Sequence, residues 1–171
     1  PGEDLEGDGS DGGGGDLGGG GDRGIDVPCT VTGVGVEGRT PQRACSVPFP
    51  DRAALKAAVD SCLAAEPTGQ GCQHDGIPIS DWDMRQVTDM HGLFAMQAEF
   101  IADISGWNTS AVTRMDNMFR EAKAFNQDIS SWSTAAVMDM GAMFQGASAF
   151  NGDISRWNTA AVTSMAYMFR D

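Results

Sequence analysis

FNQDISSWSTAAVMDMGAMFQGASAFNGDISRWNTAAVTSMAYMF, residues 125–169, carries one pattern twice. Phe125 answers to Phe150, Ile129 to Ile154, Trp132 to Trp157, Val137 to Val162, Met140 to Met165 and Phe144 to Phe169, every pair 25 residues apart. Working back, the same columns run through Phe100, Ile104, Trp107, Val112, Met115 and Phe119, and before them through Ile79, Trp82, Val87, Met90 and Phe94. Several columns held in register over four units are not a chance arrangement. One 25-residue coil cannot bury its own apolar side, whereas stacked coils share a continuous core. The residues expected in that core are Trp82, Trp107, Trp132, Trp157, Phe119, Phe144, Phe169, Met115, Met140 and Met165.

A fixed period of this length points to the α/β class, as a leucine-rich-repeat-like solenoid with a short strand and a short helix in each coil. Val112, Met115, Met118, Phe119 and Ala122 follow the helical template over two to three turns. The residue after each Trp is Asp83, Asn108, Ser133 or Asn158, all favoured N-cap types, which places a helix start there. The stretch from Phe125 through Ile129 to Trp132 is read as a short strand and a turn. Strands of neighbouring coils would pair at ~4.8 Å and align identical residues into ladders.

Outside the repeats the composition changes twice. Residues 1–24 hold seven acids and one base among glycines, with almost nothing to bury, and read as a disordered acidic tail. Residues 25–49, with Val27, Val31, Val34 and Val36, read as short strands or a hairpin. Residues 50–76 read as a capping helix and loop: Asp51 is a candidate N-cap, Leu55, Val59, Cys62 and Leu63 form one apolar face, and Pro67 ends the run. Residues 77–171 are the solenoid of about four coils, the last one truncated. The first coil is atypical, with Asp75 and Pro78 where later coils carry Phe and Asp, as expected where a cap meets a stack. An uncovered apolar face at the far end leads us to expect further repeats in a longer parent.

The runs FNQDISSW (125–132), VTRMDNMF (112–119) and SAFNGDISRWNTAAVTSMAYMF (148–169) resemble the BspA-type leucine-rich-repeat-like surface proteins. The lead-in LKAAVDSCLAAE followed by IPISDWDMRQVTDM also looks like the usual entry into such arrays, so the resemblance covers residues 50–171. It implies a solenoid fold, an extracellular or cell-surface setting, and adhesion or an unassigned function, with no catalytic residues to transfer. Asn126 and Asn151 match the family's Phe-Asn pair, and Ile101 breaks that column.

The net charge of −13 leaves no basic patch to neutralise phosphates, which argues against nucleic acid or an anionic membrane surface as partner. No segment offers ~18 consecutive apolar residues, so direct membrane insertion is not expected. The four cysteines, Cys29, Cys45, Cys62 and Cys72, precede the repeats. Two disulfides, with the short loops Cys29–Cys45 and Cys62–Cys72 favoured, compete with reduced core thiols and with a zinc site that lacks any Cys-x-x-Cys spacing. The column methionines read as core rather than as a thioether metal channel. Asp103, Asp128 and Asp153 read as turn formers, against a calcium ladder that would need six to eight oxygens per ion. Asn108-Thr109-Ser110 is an N-glycosylation sequon whose asparagine is also the expected helix cap. His74 and His91 fall on no repeated column, and no nucleophile–base pair stands out. The expectation is a non-enzymatic chain without cofactor or metal that takes a protein or glycan ligand as a binding or adhesion module, or self-associates as a structural component of a surface layer or filament.

Overall fold

A computed structural model describes residues 47–171. The tail at 1–24, nearly all of the 25–49 segment and the Cys29–Cys45 pairing lie outside the described residues.

Pro50 and Asp51 start helix α1 (Arg52–Ala65), where the Asp51 carboxylate accepts the Ala54 N–H at 2.9 Å. Leu55, Ala58, Val59 and Leu63 form the buried face, and the Glu66 N–H closes the end on the Cys62 carbonyl. A disulfide joins Cys62 to Cys72, tying α1 to strand β1 (Gln73–His74), which pairs antiparallel with β2 (Ile77–Pro78). The intervening loop meets the second coil closely. Gly69 has φ +76°, and a Cβ there would lie 2.8 Å from the Phe100 ring, so both backbone and space call for glycine.

Coil 1 (77–99) opens with β2 and a short 3-10 turn at Ile79–Asp81, and is followed by coils 2 (100–124), 3 (125–149) and 4 (150–171). Among the described residues no helix follows that turn, which corrects the expectation of a helix in every coil. The reason lies in where the backbone N–H groups go. In coil 2, Met115, Asn117, Phe119 and Glu121 donate to Asp139, Gly141, Met143 and Gln145 of coil 3 at 2.7–2.9 Å. Met118, Arg120 and Ala122, each following one of these donors, close local turns instead, on Met115, Asn117 and Phe119. Coils 1 and 3 repeat the scheme, so alternate peptides are spent on the neighbouring coil and cannot make helical bonds. Two backbone positions in each of coils 1–3, and one in coil 4, turn left-handed to allow this: Gly92, Asn117, Ala142 and Tyr167 in one column, Met96, Glu121 and Gly146 in the other.

The expected strand from Phe125 to Trp132 is likewise absent. Parallel bridges link Asp89 to Arg114, Arg114 to Asp139 and Asp139 to Ser164, within the arc read as helical. Turn-by-turn pairing of this kind satisfies the backbone without a continuous strand.

The interior is built of superposed rings. Phe94, Phe119, Phe144 and Phe169 stack at 5.6 Å, each of the first three also lying against a Phe of the next column at 3.8–4.0 Å. Trp82, Trp107 and Trp132 stack at 6.4 Å. Each indole N–H finds a fixed acceptor: Trp107, Trp132 and Trp157 donate to the carbonyls of Ile79, Ile104 and Ile129 in the preceding coil, at 2.8–3.2 Å. Trp82 has no coil before it and donates to the Ile77 carbonyl. Phe49 covers that ring at 5.3 Å.

Two residues expected in the core are not buried. Met165 is 46% and Phe169 56% exposed, and Trp157 is only partly buried. In coils 1–3 the equivalent surface is covered by the following coil, and among the described residues nothing covers coil 4.

Candidate functional site: a charged seam and the exposed columns

Where four coils share a residue, packing explains it; where they differ, another demand is at work. The bridge column reads Asp89, Arg114, Asp139, Ser164, and the column two residues on reads His91, Asp116, Gly141, Ala166. In the second column coils 1 and 2 thus carry ionisable side chains where coils 3 and 4 carry small residues.

These side chains form one seam with the cap. Arg52, the first residue of α1, donates Nε and Nη2 to the His91 carbonyl at 2.9 and 2.7 Å. The Asp89 carboxylate accepts the His91 N–H at 2.8 Å and lies 4.0 Å from Arg52 and 3.6 Å from Arg114. Nδ1 of His91 is 2.5 Å from Oδ2 of Asp116, a buried carboxylate. Arg114 adds an ion pair to Asp116 at 3.1 Å. Oδ1 of Asp116 accepts no well-aligned hydrogen bond, so guanidinium charge rather than a directional bond compensates it. The seam ties α1, coil 1 and coil 2 together. A carboxylate that fixes an imidazole ring is also how a general base is oriented, but among the described residues the only side chain bonded to the His91 ring is Asp116.

A second set of polar groups repeats with the coils. Asp103, Asp128 and Asp153 accept the backbone N–H of Ser105, Ser130 and Ser155 at 2.8–2.9 Å. For Asp103 and Asp128 the serine hydroxyl, then its N–H, holds the carboxyl below the ordinary range; for Asp153 the N–H contributes most. Burial acts to raise the pKa of Asp83, and the bonds and charge of Arg85 outweigh it, so this group too is lowered. Asn126 Oδ1 accepts the Asn151 N–H at 2.8 Å, one rung of an asparagine ladder.

Asn108 is exposed and accepts the Ser110 N–H at 3.1 Å, closing a two-residue turn rather than capping a helix. Among the described residues no group of three or more His, Cys, Asp or Glu is placed to hold a metal ion. Sequence reasoning missed the threonine column. Thr109 and Thr134 are buried and donate their hydroxyls to the Ser133 and Asn158 carbonyls of the next coil, at 3.0 and 3.1 Å. Its repetition at 25 residues was the available signal. The His91–Asp116 pair was also missed, although its members are one period apart.

Residues 67–171, more than half of the chain, match the model of a family described as "Mycoplasma protein of unknown function, DUF285". The chain belongs to this family. The DUF285 match begins after α1, so it takes in His91, Arg114 and Asp116 of the seam and leaves out Arg52 and the cap helix. No curated protein and no solved structure matches the chain.

Proposed function

We propose that the chain is a non-catalytic binding or adhesion module of the cell surface or extracellular space, a leucine-rich-repeat-like solenoid of BspA type. The observation that carries this reading is the exposed column Asp103–Asp128–Asp153 beside the Asn126–Asn151 rung, polar groups held at coil spacing on a backbone bonded coil to coil. Such an array offers carboxylates and amides in fixed register to an extended protein or glycan ligand. The Cys62–Cys72 disulfide supports an oxidising compartment. The test is saturable binding of the labelled full chain to arrayed glycans and immobilised extracellular proteins. Binding weakened at least tenfold by combined Asn126→Ala and Asp128→Ala supports the reading; no saturable binding to any member of either set sinks it.

Self-association through the coil ends is the second reading, favoured by exposed Met165, Tyr167 and Phe169. Polarity restricts it. The N–H groups of Met165, Tyr167 and Phe169 have no acceptor among the described residues, while α1 and Arg52 occupy the opposite end. Head-to-tail joining would have to displace α1. A concentration-independent monomer in sedimentation removes this reading.

A further inference from the structure

Asn108-Thr109-Ser110 contains a residue that coil stacking does not call for. The matching positions are Ser133-Thr134-Ala135 in coil 3 and Asn158-Thr159-Ala160 in coil 4. The middle threonine is structural, with Thr109 and Thr134 buried and bonded to the next coil. Its flanks, Asn108 and Ser110, face solvent. The turn uses only one atom of the asparagine amide: Oδ1 of Asn108 accepts the Ser110 N–H, as Oδ1 of Asn158 accepts the Ala160 N–H at 3.0 Å. Nδ2 of Asn108 has no hydrogen-bond partner among the described residues. Turn formation and glycan attachment therefore draw on different atoms and do not compete.

We propose that Asn108 is an N-glycan acceptor whose modification the folded stack accommodates without loss; this rests on the extracellular reading above. In the transfer, Nδ2 bonds to the anomeric carbon of a lipid-pyrophosphate-linked oligosaccharide. The sugar–phosphate C–O bond breaks, lipid pyrophosphate leaves, and one amide proton is released to base, with nothing oxidised or reduced. The acceptor needs a hydroxyl two residues on, which Ser110 supplies and Ala160 does not. The substituted amide keeps its carbonyl oxygen, so the turn to Ser110 N–H survives.

The full chain, given a secretory leader in a cell that performs N-glycosylation, tests this. The leader imposes the compartment, so the outcome bears on the site and not on native localisation, which fractionation of the native cell tests separately. A single amidase-sensitive glycan on the wild type is expected, lost in Asn108→Gln and Ser110→Ala. Ala160→Ser, which completes the motif on the same turn in coil 4, adds a second. The glycosylated chain melts within about 2 °C of Ser110→Ala, which keeps the Asn108 turn. An unmodified wild type, a glycan that persists in Ser110→Ala, no second glycan in Ala160→Ser, or a larger melting difference overturns the proposal.

Discussion

Phe119 and Phe169 occupy the same column and differ in what lies above them, so truncating each to alanine isolates the contribution of coil stacking. Phe119 is fully buried, with Phe94 and Phe144 at 5.6 Å on either side and Phe125 at 3.8 Å. Deleting a ring so enclosed leaves a cavity that flanking coils cannot close without breaking inter-coil backbone bonds, at a cost of about 3–5 kcal/mol. For a chain of this size that lowers Tm by roughly 6–20 °C. Phe169 has Phe144 on one side and is 56% exposed, so Phe169→Ala costs below about 1 kcal/mol. The assay is thermal and urea unfolding of both variants, followed by far-UV circular dichroism and tryptophan fluorescence. Equal losses for the two variants would refute the reasoning, because the column position would then matter and the covering coil would not.

Ala142 sits at φ +53°, in a column where coils 1 and 2 use Gly92 and Asn117. Ala142→Gly relieves a left-handed strain of about 1 kcal/mol, and Tm rises by about 2–4 °C. The lowered carboxyls of Asp103, Asp128 and Asp153 favour the folded state when ionised. That contribution is present above the ordinary carboxylate value of 3.8 and is lost as pH falls through the lower folded values. Replacing all three by Asn keeps an acceptor for each serine N–H, so the fall in Tm between about pH 5 and pH 2.5 becomes shallower than in the wild type. Combined Cys62→Ser and Cys72→Ser costs about 2–3 kcal/mol and accelerates amide exchange in α1 more than in coil 3.

Much of the architecture is legible in the residues because identical side chains must superpose for coils to share a core. The start of α1 could be read from Asp51, since a carboxylate before an apolar i, i+4, i+8 face has few other uses. The interior of each coil could not. Val112, Met115, Met118, Phe119 and Ala122 match a helix, yet successive three-residue turns also bring every third or fourth side chain inward. Gly92, Asn117 and Gly146 were the contrary signal, residues suited to positive φ inside a supposed helix. The seam was hidden because Arg52, His91 and Asp116 are far apart in sequence and none repeats. The period itself predicts that His91 lies beside Asp116, and only the docking of α1, which no periodicity encodes, adds Arg52.

Residue-resolved amide exchange on the 171-residue chain tests the stacking scheme most directly. Met115, Asn117, Phe119 and Glu121 should be protected together with the turn amides of Met118, Arg120 and Ala122. In coil 4, Met168 and Arg170, which close local turns, should exchange more slowly than Met165, Tyr167 and Phe169. Equal protection of all five in the dilute monomer would contradict the account.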